Sequence, residues 1–125
     1  MPFYSRVNDA QSRASSALSQ LYSYNHDPRY GPMSEPNRRI RESARLTLDP
    51  TTWGLQQAAQ EGYYERVPEY RIRDAVRAAE LIRRATWDLS HNAWWPDRQQ
   101  YVPANVYSAQ YNIREAVDLL RRANW

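Results

Sequence analysis

Two histidines, His26 and His91, are the first residues to consider for catalysis or metal binding in this sequence. Arg84, Asp88 and His91 stand at positions i, i+4 and i+7, a spacing that places them on one face of a helix. The sequence has no HExxH motif, no GxSxG turn and no glycine-rich phosphate loop. Asp88 and His91 alone do not hold zinc, because a zinc site needs more ligands. We therefore predict no metal and no cofactor.

The spacing of Arg84 and His91 resembles the Arg-x(4–6)-His signature of HEPN-domain ribonucleases, a family of small helical bundles. The resemblance covers these residues and the all-α class, and it implies that the arginine and the histidine act on an RNA phosphodiester. In a chain with 17 basic residues the same spacing also arises by chance. The alternative is an exposed Arg–Asp pair with a neighbouring histidine. We adopt this alternative and predict that the protein is not an enzyme.

All 17 basic residues are arginine, and many of them are clustered. Guanidinium groups suit phosphate contacts and tyrosines can stack on bases, so nucleic-acid binding, including RNA binding, is an alternative function. The clustered residues are Arg38, Arg39, Arg41, Arg45, Arg71, Arg73, Arg77, Arg83, Arg84, Arg121 and Arg122. Glu or Asp is interleaved with each cluster and the net charge is only +3, a pattern typical of a solvated helix face.

Tyrosine and tryptophan are unusually frequent, with ten Tyr and five Trp but one Phe. Both side chains carry a polar atom, so they suit surfaces that become buried when a partner binds. Tyr, Trp and Arg are also the residue types enriched in interface hot spots. The predicted partner-binding residues are Trp94, Trp95, Tyr101, Tyr63, Tyr64 and Arg98. The alternative is that these aromatic residues cover the two ends of a helical core.

Length and composition set the broad class. We predict a single domain over residues 1–125, because the chain is long enough for one core. No apolar run approaches the roughly 20 residues of a membrane span, and no leader with a cleavage site precedes the chain's first helix. We therefore expect a soluble protein without a membrane span, cytoplasmic by default. Cysteine is absent, which excludes disulfides and cysteine metal sites.

Hydrophobic periodicity predicts helices along the whole chain. Over 3–24 the apolar stripe is Phe3, Val7, Ala10, Ala14, Ala17 and Leu21. Further helices are predicted over 36–48, 50–61, 68–93 and 103–125, with loops over 25–35 and 94–102. Asp49–Pro50 is predicted to separate two helices, because proline suits the first position of a new helix. No segment alternates β-branched and polar residues long enough to predict a strand.

Individual positions are also assigned from the same periodicity. Trp53 is predicted to face inward on the short helix, and Gly62 to mark the end of that helix. Val76 is predicted on the buried stripe of the next helix. Asp74 and Arg77 are predicted to form an exposed ion pair, as is Glu80 with the arginines that follow it.

Several helices resemble one another. Pro36 to Arg45 matches Pro68 to Arg77 at Pro, Ile and three Arg positions, and Ile113 to Val117 matches Ile72 to Val76. Such self-similarity is typical of helical repeats, although amphipathic helices in an arginine-rich chain also converge on similar sequences. In both cases, helices with similar faces are expected to pack on one another.

Together these patterns predict an all-α fold, a single-domain antiparallel helical bundle of four longer helices plus one short helix, with weakly repeated helices. The predicted function is that of a structural or protein-interaction subunit whose partner is another protein or a further copy of the chain. Nucleic-acid binding and a HEPN-like ribonuclease are the alternatives.

Overall fold

A computed structural model describes residues 2–24, 35–90, 93–95, 100–102 and 106–124. The helices are α1 (Pro2–Leu21), α2 (Glu35–Tyr64), α3 (Glu69–Ser90) and α4 (Val106–Ala123). Strands β1 (Ala93–Trp95) and β2 (Gln100–Val102) pair antiparallel between α3 and α4. The predicted helical class is confirmed, whereas the prediction of a strand-free loop over 94–102 is wrong at these two short strands. The predicted loop over 25–35 lies almost entirely outside the described residues.

Helix α1 follows the predicted apolar stripe. All six stripe residues, from Phe3 to Leu21, are buried, and the polar residues between them are exposed or half-buried. Ala10, Ala14 and Ala17 have almost no exposed surface, so the neighbouring helices approach the α1 backbone closely. Sequence periodicity was sufficient here because the stripe faces a continuous core.

Helix α2 is one helix of 30 residues, so the predicted break at Asp49–Pro50 is wrong. Pro50 lies inside the helix, where it has no N–H to donate to the carbonyl of Leu46. The helix continues because burial of Leu48 and Leu55 on either side outweighs this lost hydrogen bond. Trp53 is 61% exposed, so its predicted inward orientation is also wrong.

The end of α2 is formed by Arg66 and not by Gly62. Arg66 has a φ of 59°, in the left-handed region. The N–H of Val67 donates to the carbonyl of Gly62 at 2.9 Å, and the N–H of Arg66 donates to that of Tyr63 at 3.4 Å. This pair of bonds is the Schellman motif, with an arginine at the position that usually holds glycine. Gly62 instead lies against Phe3 and Ile72, where it leaves room for close packing.

Helices α3 and α4 bury matching positions of their similar sequences. Ile72 and Ala75 in α3 are buried, as are their counterparts Ile113 and Ala116 in α4. Val76 is 51% exposed, so its predicted place on the buried stripe is wrong. Helix α3 ends at Ser90 and not at the predicted residue 93, which belongs to β1.

Each helix packs against two neighbours. Helix α1 contacts α2 and α4, and α3 contacts the same two helices from the other side. The buried side chains of all four helices form one cluster. Within the described residues, no helix combines the length and the apolar character that are needed to cross a bilayer.

Polar contacts fix which ends of the helices meet. Near the start of α1, the Nε of Arg6 donates to Glu61 near the end of α2 at 2.9 Å. Near the end of α1, Gln20 donates to Thr47 of α2 at 3.2 Å. These two contacts lie more than a dozen residues apart in each helix, which fixes the register of α1 along α2.

Contacts to α4 set the other side of α1. Asn124 donates to Asn8 at 2.7 Å, and Gln110 donates to the carbonyl of Leu21 at 3.2 Å. The start of α4 therefore lies beside the end of α1.

Candidate interaction surface

Aromatic side chains lie mainly on the outside of the described part of the protein. Phe3 is the one aromatic residue among the described core residues. Eight aromatic side chains are more than half exposed: Tyr22, Trp53, Tyr63, Tyr64, Tyr70, Trp87, Tyr107 and Tyr111. The core is filled by leucine, isoleucine, valine and alanine instead. Of the predicted partner residues, Tyr63 and Tyr64 are in this set, and their exposure means that they do not cover the end of the core.

The predicted partner residues fall into two groups. Tyr63 and Tyr64, at the end of α2, are 67% and 89% exposed. The hairpin register pairs Trp94 with Tyr101 and Trp95 with a glutamine. Arg98 lies outside the described residues, as do both histidines.

The structure does not bring these two groups together. Glu65, which follows Tyr64, accepts a hydrogen bond at 3.4 Å from the N–H of Phe3 at the start of α1. The hairpin leads into α4, whose Gln110 contacts the end of α1. A helix of 20 residues is about 30 Å long. The tyrosine pair and the hairpin therefore adjoin opposite ends of α1.

A cluster of tyrosine and arginine surrounds the end of α2 and the start of α3. We call this cluster the Tyr–Arg end; it comprises Tyr4, Tyr63, Tyr64, Arg66, Tyr70 and Arg71. Tyr4 is half-buried against the core and meets the ring of Phe3 edge-on at 5.1 Å. The other tyrosines of the cluster are exposed. Phe3 is in turn held against Gly62, so the close packing at Gly62 positions the cluster.

Arg71 contacts two tyrosines of this cluster, Tyr4 and Tyr70. Its Nη1 donates to the hydroxyl of Tyr4 at 2.8 Å, and its Nε donates to the hydroxyl of Tyr70 at 3.1 Å. The guanidinium carbon lies 5.5 Å from the ring centre of Tyr4 and 5.7 Å from that of Tyr70. The hydrogen bond to Tyr70, followed by that to Tyr4, raises the pKa of Arg71 above its usual value. The guanidinium is therefore held as a cation in a fixed orientation.

Sequence reasoning identified only part of this cluster. Tyr63 and Tyr64 were predicted from composition and position, and Arg71 was grouped with the clustered arginines. Tyr4 is separated from Arg71 by 67 positions, so only the packing of α1 on the end of α2 could reveal their contact. Tyr70 stands beside Arg71 in sequence and was the one local signal.

The Arg84 pattern lies on a different face of the protein. Arg84, Trp87 and Asp88 line a groove of about 470 Å³ between α3 and α4, together with Ser108 and Asn112. Arg84 pairs with Glu80 at 3.5 Å. His91 lies outside the described residues, so the arginine–histidine pair of the ribonuclease alternative stays untested.

Most clustered arginines pair with carboxylates. Arg45 contacts Glu42 and Asp49, and its hydrogen bond to Glu42 lowers the pKa of that carboxyl. The predicted pairing of Glu80 with the arginines after it is confirmed. Asp74 pairs with Arg122 of α4 at 3.1 Å, so its predicted pairing with Arg77 is wrong; packing of α3 on α4 supplies a nearer partner.

Within the described ranges, no three or more His, Asp or Glu side chains are grouped so that they could hold a metal ion. No protein-family model, curated protein or solved structure matches this chain.

Proposed function

We propose that this chain is a non-enzymatic, antiparallel helical bundle that acts as a structural subunit and assembles with a second copy of itself through the Tyr–Arg end. One observation carries the proposal: aromatic side chains are nearly absent from the described core and abundant on the described surface. Large exposed aromatic residues are costly in water and contribute strongly to binding when a partner covers them.

The exposed tyrosines at the Tyr–Arg end supply about half of the area that one partner gives to a specific contact. Three tyrosines, Tyr63, Tyr64 and Tyr70, are each more than half exposed there. Together they offer about 400 Å² of surface, which is about half of what one partner contributes to a standard interface. The flanking Arg66 and Arg71 belong to a residue type that is also enriched in such contacts.

Charge favours a second copy as the partner. Arg66 and Arg71 lie close in sequence to Glu65 and Glu69, and the side chain of Glu69 is 73% exposed. A surface that carries both signs of charge can face its own copy across a two-fold axis, with guanidinium groups opposite carboxylates. A long nucleic acid would be repelled by the same carboxylates.

Static light scattering over about 1–100 µM protein tests the proposal, since this range spans interfaces of moderate affinity. We expect the mass of the wild-type chain to rise toward that of a dimer, and the variant Tyr63→Ala plus Tyr64→Ala to stay a monomer. Tyr107→Ala plus Tyr111→Ala is the matched control, because these two side chains are 67% and 65% exposed on the outer face of α4. A wild-type monomer over the whole range would contradict the proposal.

The hairpin residues are tested by the same measurement. Trp94, Trp95, Tyr101 and Arg98 remain predicted partner residues. If they contribute a second contact, Trp94→Ala plus Trp95→Ala will lower the mass independently of the tyrosine variant. An unchanged mass would remove them from the interface.

A further inference from the structure

Arg71 is held in a way that leaves three of its guanidinium N–H groups available. Two of its N–H groups, one on Nε and one on Nη1, are used by the hydroxyls of Tyr70 and Tyr4. The second N–H of Nη1 and both N–H groups of Nη2 are left to other acceptors. Within the described residues, Arg71 makes no ion pair with a carboxylate.

The hydroxyl groups of Tyr4 and Tyr70 add two hydrogen-bond donors beside the guanidinium of Arg71. Each hydroxyl oxygen accepts from Arg71, so its own hydrogen points away from the guanidinium. The described residues provide no acceptor for either hydrogen. The cluster therefore offers three N–H groups and two O–H groups around one positive charge. Within the described residues, these five donors lack a hydrogen-bond acceptor.

From this geometry we infer that Arg71, Tyr4 and Tyr70 form a docking site for a single carboxylate group. A carboxylate accepts from two parallel N–H groups of a guanidinium, and such charge-assisted bonds are stronger than neutral ones. The two tyrosines fix the guanidinium before the ligand arrives, which reduces the entropy lost on binding. In the assembly the carboxylate comes from a glutamate of the second copy. This source of the carboxylate rests on the proposed function.

A carboxylate fits the site better than a phosphate does. The site has one guanidinium, whereas Glu65 and Glu69 lie within a few residues of it in sequence. A phosphate carries close to two negative charges at neutral pH and would be repelled more strongly by these carboxylates than a monoanion would. The single negative charge of a carboxylate also neutralises the single positive charge of the guanidinium.

Nuclear magnetic resonance of the arginine Nε–H signals tests the site directly. The monomeric variant Tyr63→Ala plus Tyr64→Ala is titrated with sodium acetate in exchange for sodium chloride at constant ionic strength. Loss of one signal in Arg71→Gln assigns Arg71. Arg77 is the matched control, because it lies on the exposed side of the same helix and no described carboxylate pairs with it.

We expect a saturable shift at Arg71, with acetate binding about tenfold tighter there than at Arg77. The added changes Tyr4→Phe and Tyr70→Phe keep the rings and remove the hydroxyls, and they should reduce this difference several-fold. The inference would be overturned if the Arg71 signal shifts with acetate no more than the Arg77 signal does. Tighter binding of inorganic phosphate than of acetate would also overturn it.

The two proposals can fail separately. Acetate binding at Arg71 in a chain that never self-associates would contradict the proposed assembly and leave the carboxylate site intact. Self-association that is lost in Tyr63→Ala plus Tyr64→Ala, but is accompanied by no acetate response, would contradict the carboxylate site alone.

Discussion

Arg66 shows that a single backbone conformation can lower the stability of the protein. Its φ of 59° brings the Cβ close to the backbone, which costs an L-residue about 1 kcal/mol and costs glycine almost nothing. The two hydrogen bonds of the Schellman motif and the buried side chain of Val67 hold the residue there. Helix α2 therefore ends in a Schellman motif although Arg66, and not the usual glycine, occupies the left-handed position.

Replacing Arg66 by glycine should increase the free energy of unfolding by about 1 kcal/mol, because the strain at φ 59° is removed. Urea denaturation measures this change. Arg66→Ala is the control for loss of the charged side chain and should leave stability nearly unchanged. Equal stabilities of Arg66→Gly and Arg66→Ala would show that the left-handed conformation carries no cost here.

At the scale of a helix, α2 contains two glycines with opposite surroundings. A Cβ at Gly62 would lie 3.0 Å from Cδ2 of Phe3 and 3.0 Å from Cγ1 of Ile72. A Cβ at Gly54 would have no neighbour within 4 Å. Replacing glycine by alanine therefore tests helix propensity at Gly54 and packing at Gly62.

We expect Gly54→Ala to stabilise the protein by about 0.5–1 kcal/mol, the usual gain of alanine over glycine in a helix. Gly62→Ala should destabilise it by about 1–3 kcal/mol, because the added methyl group forces Phe3 and Ile72 apart. Thermal or urea unfolding of both variants measures the difference. Stabilisation by both substitutions would mean that the packing around Gly62 yields easily.

Pro50 gives a second test at the scale of the helix. Its ring is exposed, so replacement should lose little packing and should restore an N–H donor to the carbonyl of Leu46. Pro50→Ala should stabilise the protein by about 2 kcal/mol, after allowance for the greater freedom of the unfolded chain. Pro50→Gly should be about 1 kcal/mol less stable than Pro50→Ala in urea denaturation. A loss of stability in Pro50→Ala would indicate that α2 needs a distortion at this position.

At the scale of the whole molecule, sequence periodicity predicts the buried face of α1 completely but misplaces Trp53 in α2 and Val76 in α3. The alternating steps from Phe3 to Leu21 predict all six buried positions of α1, because no other arrangement buries that stripe. Pro50 and Gly62 were misread because local rules assign them to helix ends. The tertiary burial of Leu48 and Leu55 and the contacts at Gly62 override those rules.

The candidate site was only partly accessible from the sequence for the same reason. Tyr63 and Tyr64 are exposed, and their role as partner residues stays a prediction. Trp53 was misplaced because an apolar ring at helical spacing usually faces inward. The contact between Tyr4 and Arg71 depends on the packing of α1 against the end of α2. Nothing in local sequence specifies a pairing across that distance.

The contact between Asn8 and Asn124 joins segments that are 116 positions apart. Because the chain is made from α1 toward α4, the side of α1 that packs on α4 has no cover until nearly all of the described chain has left the ribosome. Before then α1 is covered mainly by α2, with a contact to α3 at Tyr4, and the side of its alanine stripe that faces α4 stays exposed. Closure of the four-helix ring is thus the longest-range step of folding, with the largest loop-entropy cost among the helix pairings.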